Sequence, residues 1–269
     1  MAKKRLDVLL VEQGLADSRQ KAQAMIMAGQ VYAGERRCDK AGQTLEDGIV
    51  LEVRGQTMPY VSRGGLKLEK AMQVFPITLN HKIAADIGAS TGGFTDCMLK
   101  NGASKVYAVD VGYGQLAWAI RNDPRVVCLE RTNARYLTRE QIPEPLDFAS
   151  IDVSFISLGL ILPALRTLLK DGGEVAALVK PQFEAGREKV GKKGVVRDPA
   201  VHLEVLEQFL HHAEQSDFTV KGLDFSPIRG PEGNIEYLGY MCAGPGENVL
   251  VDLNELVRIS HETLRGGGQ

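Results

Sequence analysis

Long apolar runs and a strong excess of either charge are missing from this 269-residue chain. No apolar stretch approaches the roughly 18 residues that a membrane-spanning helix needs, and the first residues lack the apolar core of a secretory signal. We therefore expect a cytoplasmic protein that does not bind a membrane. With 32 Lys and Arg against 34 Asp and Glu, the net charge of −2 argues against a protein that coats nucleic acid with its whole surface.

The chain also lacks the residue spacing of a metal site. Its four cysteines form no C-x-x-C pair, and its five histidines show no ligand spacing. Two disulfides are conceivable, but a chain without a secretory signal is expected to stay in a reducing compartment. We predict separate reduced thiols and no bound metal.

Charge is distributed unevenly and divides the chain. Residues 1–45 carry 8 Lys and Arg against 5 Asp and Glu, whereas residues 46–269 carry 24 against 29. In the basic part we predict one helix that ends at Gly14, a second that starts after Ser18, and short strands near 31–32 and 49–53. We predict a small domain over residues 1–53, a linker over 54–62, and a large domain over 63–269.

The large domain shows apolar, strand-like runs that alternate with helical stretches. Continuous apolar strands are typical of a parallel sheet that is covered on both faces. The last two strands are separated by too few residues for a crossover, so we expect them to pair antiparallel. This is the α/β layout of a class I methyltransferase, with a mainly parallel, Rossmann-like sheet of seven strands. The predicted strands are 83–87, 106–109, 126–129, 148–153, 175–179, 219–228 and 236–242, with helices at 94–101, 116–121, 158–169 and 202–215.

The clearest motif follows the first strand of this domain and reads D-I-G-A-S-T-G-G-F from Asp86 to Phe94. Its glycines do not have the G-x-G-x-x-G spacing of a dinucleotide site. The second strand ends in Asp110, where a carboxylate can accept hydrogen bonds from both hydroxyls of a ribose. Together these features predict a nucleoside cofactor such as S-adenosylmethionine (SAM). The alternative is a tight turn with a solvated aspartate.

Three aspartates and a lysine should lie together, because the carboxyl ends of parallel strands meet at one edge of a sheet. They are Asp86, Asp110, Asp152 and Lys180. Asp152 opens D-V-S-F and lacks the prolines of the D-P-P-Y motif with which methyltransferases grip an amino nitrogen. No cysteine follows a proline, as the nucleophile of carbon-5 pyrimidine methyltransferases usually does. Both absences favour an oxygen acceptor.

Lys180 ends the fifth predicted strand of the large domain and precedes Pro181. Burial and a neighbouring cation favour the neutral form of an amine, and a neutral amine can accept the proton of a sugar hydroxyl. Alone, this Lys-Pro pair is more typical of an ordinary surface lysine at the end of a strand. Lys67, in R-G-G-L-K-L, and Glu236, in G-N-I-E-Y, are the residues that change the interpretation.

Lys67, Asp152, Lys180 and Glu236 resemble the K-D-K-E tetrad of FtsJ-type RNA 2′-O-methyltransferases. The chain is similar more specifically to the TlyA family, which is often labelled hemolysin A. The resemblance implies a class I methyltransferase fold, SAM, and cytidine 2′-hydroxyls of ribosomal RNA as acceptors. It rests on residues 62–67, 86–95, 110–116, 130–135, 152–158 and 179–183.

Within this tetrad we expect Lys180 to be the general base and Asp152 to orient it. Lys67 disfavours the protonated form of Lys180 and holds the sugar, while Glu236 holds Lys67 or the acceptor ribose. The resemblance also implies a set of cofactor-binding residues around the glycine-rich turn and the next strands. They are Asp86, Gly88, Ser90, Gly92, Gly93, Phe94, Asp110, Asn133 and Phe155.

The basic N-terminal unit resembles the alpha-L RNA-binding motif, which would contact phosphates without reading sequence. A second basic stretch, residues 187–197, is rich in glycine, and we interpret it as a mobile lip over the site that meets RNA. The alternative for either stretch is a solvated surface. The predicted RNA-binding residues are Arg5, Arg19, Lys21, Arg36, Arg37, Lys40, Arg63, Arg187, Lys189, Lys192 and Lys193.

Three other functions compete with this interpretation. A membrane-acting hemolysin would need an apolar or amphipathic segment, and the sequence offers none. An RNA-binding assembly factor without catalysis would not need the intact tetrad. A base methyltransferase would need the missing D-P-P-Y or Pro-Cys motif. Because both termini look short, we expect the substrate to be large-subunit ribosomal RNA, and the oligomeric state stays open.

Overall fold

The computed structural model describes residues 3–27, 29–34, 36–38, 40, 42–54 and 58–264. The chain divides into two compact units, Met1–Pro59 and Tyr60–Gln269. Part of the predicted linker, residues 55–57, lies outside the described residues.

The first unit contains two helices and two small antiparallel sheets. Ser18 caps the second helix as predicted, because its Oγ accepts a hydrogen bond from the Lys21 amide at 3.2 Å. The predicted strand at 49–53 is shorter than expected: residues 46–49 form a turn, and only Glu52–Val53 pair. The elements are β1 (Lys3–Arg5), α1 (Leu6–Glu12), α2 (Arg19–Met27), β2 (Val31–Ala33), β3 (Arg36–Arg37), β4 (Thr44–Glu46) and β5 (Glu52–Val53).

A buried carboxylate lies at the centre of this unit. Asp7 on α1 is fully buried, next to the apolar contacts between α1 and α2. Its oxygens accept two hydrogen bonds from Arg5 at 3.0 Å and one each from Arg19 and Gln23 at 2.9 Å. The Arg5 guanidinium is the main reason that the pKa of Asp7 lies well below its usual range. Arg5 and Arg19, two predicted phosphate ligands, therefore also neutralise a buried charge.

The second unit is an α/β sandwich around one seven-stranded sheet with the order β11-β12-β10-β9-β6-β7-β8. Five strands are parallel, and β12 pairs antiparallel with β10 and β11. This confirms the predicted sheet and its antiparallel edge. The strands are β6 (Ile83–Ile87), β7 (Lys105–Val109), β8 (Val126–Leu129), β9 (Leu146–Ile151), β10 (Leu169–Val179), β11 (Phe218–Phe225) and β12 (Tyr237–Ala243).

Helices cover both faces of the sheet. Alternate residues of a strand point to opposite faces, so Ala85 and Ile87 join one apolar layer while Ala84 joins the other. The helices are α3 (Gly64–Val74), α4 (Gly93–Lys100), α5 (Trp118–Arg121), α6 (Leu162–Arg166), α7 (Pro181–Glu184), α8 (Pro199–Gln215) and α9 (Leu253–Leu264).

The predicted helix at 158–169 is wrong in its extent. A 3-10 turn (Leu158–Leu160) comes first, α6 follows, and β10 already begins at Leu169. Leu169 pairs with Leu146 of β9, and the register shifts before Glu174. Pairing with β9 therefore places Leu169, the last residue of the predicted helix, in a strand. Helices α3 and α9 were not predicted.

Asp86 fastens the start of α4 to the centre of the sheet. This β6 side chain is fully buried. Its Oδ2 accepts hydrogen bonds from the Thr95 amide at 2.9 Å and hydroxyl at 2.7 Å, and its Oδ1 accepts one from Ser150 Oγ at 3.0 Å. Burial raises the pKa of Asp86 to about 6, although the Thr95 and Ser150 hydrogen bonds oppose the shift.

We expect replacement of Asp7 by Ala to destabilise the first unit by about 2 kcal/mol, because charge-assisted hydrogen bonds in its core are lost. The pKa of Asp7 is lowered by folding. Its stabilising contribution is therefore present above about pH 4 and is lost as pH falls toward the folded pKa. Amide exchange of residues 3–54 in the intact chain measures the loss. Asp17→Ala is the control, since that exposed carboxylate only pairs with Lys21; equal exchange in both variants would contradict this role.

Replacement of Asp86 by Asn tests the buried carboxyl through its pH dependence. The folded pKa of Asp86 is raised, so its stabilising contribution is present below about pH 4 and is lost as pH rises through about 6. The Asn side chain still has an oxygen that can accept the hydrogen bonds from Thr95, and it does not ionise. Relative to the wild type, the Asn variant should gain roughly 2–3 kcal/mol of unfolding free energy between pH 4 and pH 7. Urea unfolding at each pH gives this difference, and a pH-independent difference would show that Asp86 stays ionised throughout.

Candidate functional site

A crevice runs along the edge of the sheet where β6, β7, β9 and β10 end. Asp110 follows β7, Asp152 follows β9 and Lys180 follows β10. The strands are neighbours in the sheet, so the three side chains come together as sequence reasoning expects. Three adjoining pockets of about 410, 660 and 400 Å³ make up this crevice.

Four charged side chains form a continuous chain of contacts within the crevice. Lys67 Nζ lies 2.6 Å from Glu236 Oε2 and 3.9 Å from Asp152 Oδ2, and Lys180 Nζ lies 2.5 Å from Asp152 Oδ1. Lys67 and Lys180 are 7% exposed and Glu236 is 1% exposed. Buried charges are tolerated only when they are paired. Two cations and two carboxylates neutralise each other here, and Asp152 bridges the lysines.

The antiparallel edge of the sheet explains why residues far apart in sequence meet. Val179 of β10 is the register partner of Tyr237 of β12. Lys180 follows the first and Glu236 precedes the second, so both charged residues leave the same end of the paired strands. Lys67 arrives from α3, in the first turns of that helix.

A glycine allows α3 to approach closely. A Cβ at Gly93, the first residue of α4, would lie 2.2 Å from Ser62 Oγ and 2.9 Å from the Gly65 amide nitrogen. Any larger residue would push α3 away, and Lys67 would move with it. This glycine of the D-I-G-A-S-T-G-G-F motif therefore brings a catalytic candidate into place.

The first side of the crevice is a 400 Å³ pocket of nucleoside character. Asp110 lies in its wall together with Gly88, Ser90 and Asn133. The Asp110 carboxylate accepts hydrogen bonds from the Ser90 and Gly112 amides, each at 2.7 Å. Apolar wall atoms come from residues such as Val111. An acid, an amide and apolar walls form the donor and acceptor set that an adenosine group requires.

The other side is a wider pocket of about 660 Å³ that contains Lys180 and Glu236. Phe155 and Phe183 stand at its wall with ring centroids 4.8 Å apart and planes tilted by 52°. Phe155 also lines the nucleoside-sized pocket. Its side chain is 90% exposed, and its φ of 64° is costly for an aromatic residue. The surrounding structure thus holds an aromatic ring at the junction of the two pockets.

Not every predicted cofactor residue faces the crevice. Asp86 contacts Thr95 and Ser150 behind the turn, and Gly92 packs toward Leu116. Gly93 and Phe94 line the pocket of about 410 Å³, which Lys67 also lines. Gly88, at φ +88°, leaves no room for a Cβ, which would lie 2.5 Å from the Asp152 carbonyl oxygen. Close packing of the turn against the β9 end therefore accounts for this glycine.

Several crevice residues were missed by sequence reasoning. Between β11 and β12 the chain reads R-G-P-E-G-N-I-E, and only its Glu236 was singled out. Arg229, Pro231 and Asn234 also line the crevice. The density of glycine and proline in this loop was the available signal, since loops at strand ends commonly carry functional groups.

The predicted RNA-binding residues lie on both units. Arg36, Arg37 and Lys40 are exposed, and Lys21 pairs with Asp17 at 2.5 Å. On the second unit Arg63, Arg187, Lys192 and Lys193 are exposed, while Lys189 forms an ion pair with Glu204. Their contact with RNA remains a prediction.

Among the residues that the structure describes, no group of three or more His, Cys, Asp and Glu side chains is arranged to hold a metal ion. No described helix has the length and apolar character needed to cross a bilayer.

Each of the two units matches a known protein family. The FtsJ-like methyltransferase family matches residues 60–242, and the S4 domain matches residues 4–50. A proposed rRNA methyltransferase of Bacillus subtilis, YqxC, is 55% identical over 98% of this chain and 96% of its own length. The 16S/23S rRNA (cytidine-2′-O)-methyltransferase TlyA of Mycobacterium tuberculosis is 45% identical over 87% of each chain.

A solved structure from Streptococcus thermophilus, described as a proposed hemolysin, has 50% identity and a TM-score of 0.79. The match covers 99% of this chain and 98% of that one. The family match spans the whole sheet up to β12 and includes all four residues of the buried charge chain. The chain belongs to the FtsJ-like methyltransferase family and carries an S4 domain ahead of its methyltransferase domain.

Proposed function

We propose that this protein transfers a methyl group from SAM to the 2′-hydroxyl of a cytidine in ribosomal RNA. The observation that carries the proposal is the buried Glu236–Lys67–Asp152–Lys180 chain between a nucleoside-sized pocket and a wider one. Such a site keeps cofactor and acceptor apart except where the two pockets meet. Relatives named as rRNA (cytidine-2′-O)-methyltransferases support the choice of acceptor.

The residues of the smaller pocket suit SAM. Asp110 would accept hydrogen bonds from the ribose hydroxyls, and Asn133 and Phe155 would flank the adenine and methionine groups. Gly88 and Ser90 would contribute the backbone of the turn beneath them. When bound, SAM supplies a methyl group on a positively charged sulfur.

Lys180 is the proposed general base. It would accept the 2′-hydroxyl proton as the oxygen forms its bond to the methyl carbon and the bond from that carbon to sulfur breaks. Lys180 Nζ lies 2.5 Å from Asp152 Oδ1, and Lys67 Nζ lies 3.9 Å from the other oxygen of that carboxylate. After the transfer, Asp152 would hold the protonated Lys180.

Glu236 and Asp152 also position Lys67, whose ammonium would hold the acceptor sugar. Holding oxygen and methyl carbon in line contributes a large part of the rate in such a transfer. The contacts of Lys67 with Glu236 at 2.6 Å and with Asp152 at 3.9 Å would keep this ammonium in place.

RNA would be held by phosphate contacts from the S4 domain and from residues 187–197. Such contacts release counterions and make affinity fall with salt. We propose large-subunit ribosomal RNA as the substrate and therefore the cytoplasm as the place of action. The same surface would serve an assembly factor without catalysis, and only the activity separates these two functions.

We expect Asp110→Ala to weaken SAM binding by about 1.5–3 kcal/mol, because charge-assisted hydrogen bonds to the ribose are lost. Titration calorimetry measures the effect. Asp123→Ala is the control, since that carboxylate pairs with Arg125 away from the pocket. Unchanged affinity in the Asp110 variant would remove this residue from the cofactor site, and tighter binding of NADH than of SAM would remove SAM itself.

Methylation assays with Lys180 variants test the proposed general base, and the methylated product identifies the acceptor nucleotide. Lys180→Ala should abolish methyl transfer, because no base then takes up the 2′-hydroxyl proton, and should leave SAM affinity within about twofold, because the base acts in the transition state. Lys180→Arg should not restore activity, since a guanidinium stays protonated. The wild-type rate should rise with pH and then level off.

The assay uses purified rRNA from cells that lack the protein as the substrate. Mass spectrometry of the rRNA fragments then locates 2′-O-methylcytidine.

Lys82→Ala is the control for this series. Lys82 pairs with Glu174 and precedes β6, at the end of the strand opposite to the crevice. Wild-type enzyme that leaves both rRNAs unmethylated would overturn the proposed function. Near-normal turnover by the arginine variant would instead show that position 180 supplies only positive charge.

A further inference from the structure

Two exposed lysines occupy the tip of a tight turn beside the wider pocket. In this lysine turn, residues 191–194, the Gly194 amide donates to the Gly191 carbonyl at 2.8 Å, and the Gly191 amide donates to the Val195 carbonyl at 3.2 Å. Lys192 and Lys193 lie between the glycines and are exposed. Within the described residues, neither ammonium forms an ion pair. The turn thus presents two uncompensated positive charges.

One buried side chain holds the base of this turn. Asn234 is 1% exposed. Its Oδ1 accepts a hydrogen bond from the Val196 amide at 2.9 Å, and its Nδ2 donates one to the Gly194 carbonyl at 2.8 Å. Both ends of the amide are therefore used on the segment that leaves the lysine turn.

His202 adds a second attachment from α8. Burial lowers the pKa of His202 to about 4, so the ring is neutral at physiological pH. In the tautomer that fits its partners, Nε2 donates to the Val196 carbonyl at 3.1 Å and Nδ1 accepts from the Tyr237 hydroxyl at 2.8 Å. Val196 is thus held on its amide by Asn234 and on its carbonyl by His202.

The same asparagine is tied to the buried charge chain. It stands two residues before Glu236, and its own carbonyl accepts a hydrogen bond from the Gly230 amide at 2.9 Å. Gly230 in turn packs against Glu236, because a Cβ there would lie 2.6 Å from Glu236 Oε1. Gly194, Asn234, Lys180 and Glu236 line one pocket. A single loop therefore holds both the lysine turn and the acidic end of the charge chain.

We propose that Asn234 is a positioning residue that holds the lysine turn beside the acceptor pocket, where Lys192 and Lys193 contact a phosphate next to the target nucleotide. The proposal rests on the proposed RNA substrate. A turn between two glycines samples many conformations when it is released. Fixing it in advance removes an ordering cost from RNA binding. The hydrogen bonds of the Asn234 side chain go to Val196 and Gly194, whereas its link toward Glu236 runs through its backbone carbonyl, which an alanine keeps. We therefore expect the side chain to act on RNA affinity and to leave the methyl-transfer step and SAM binding unaffected.

A double-mutant cycle separates this role from plain structural support. The variants are Asn234→Ala, the pair Lys192→Ala with Lys193→Ala, and the triple combination. We expect Asn234→Ala to raise the KM for rRNA roughly tenfold with kcat within about twofold. In the triple variant KM should match that of the lysine pair alone, because Asn234 acts through those lysines. Effects that multiply instead would overturn the proposal.

Thr219→Val is the matched control for lost stability. Thr219 is 3% exposed and its Oγ1 donates to the Gly244 carbonyl at 2.8 Å, at the end of the sheet opposite to Lys180. It should lower the unfolding temperature without changing KM for rRNA. If Asn234→Ala does not fold, Asn234→Asp replaces it, since a carboxylate still accepts from Val196 but cannot donate to Gly194.

Trypsin cleavage gives a measurement that needs no RNA. Asn234→Ala should increase the initial rate of cleavage after Lys192 and Lys193 at least severalfold over wild type, with the peptides identified by mass spectrometry, while Thr219→Val should not. Unchanged cleavage would show that Asn234 does not hold the turn. If Asn234→Ala increases the cleavage but the wild-type enzyme methylates no rRNA, Asn234 does hold the lysine turn. The RNA role proposed for that turn would then be refuted.

Discussion

The buried chain of charges from Glu236 through Lys67 and Asp152 to Lys180 is the constraint on which the rest of the site depends. Removing any one member would leave an uncompensated charge in a nearly solvent-free place. The four side chains come from α3 and from the ends of β9, β10 and β12, so their mutual neutralisation also fixes how those elements meet. The same contacts therefore set both the local stability and the positions of the four side chains that we propose as catalytic.

Asp152 has the central place in this chain, because both lysines share its carboxylate. It also lines the nucleoside-sized pocket and the pocket next to Lys67. In the proposed mechanism, this carboxylate would hold Lys180 after proton transfer and would lie close to the cationic cofactor before it.

The two units treat their positive charge differently. In the S4 domain, Arg5 and Arg19 donate hydrogen bonds to the buried Asp7, so part of the basic surface also stabilises the fold. In the methyltransferase domain, the lysine turn is held by the neutral Asn234 and keeps its charges free of carboxylates among the described residues. A surface that must meet phosphate at a defined place gains from this second arrangement, because no internal ion pair has to be broken first.

Sequence alone determined the class of fold and the members of the charge chain. The apolar runs predicted a mainly parallel sheet, and strands such as Ile83–Ile87 and Val126–Leu129 have the predicted bounds, because a continuous apolar run flanked by turns leaves little choice. The membership of Lys67 and Glu236 came from the family resemblance. Their spacing of 169 residues carries no periodic signal.

Tertiary structure decided what local patterns could not. Leu169, the last residue of the helix predicted at 158–169, lies in a strand because it pairs with Leu146 of β9. The glycines of the D-I-G-A-S-T-G-G-F motif proved to serve close packing against Asp152, Ser62 and Leu116 as well as an open turn. Asn234 gained its partners only when the segment after the lysine turn folded against the loop before β12. Each of these outcomes depends on contacts between residues that are distant in sequence, and such contacts exist only once the sheet has assembled.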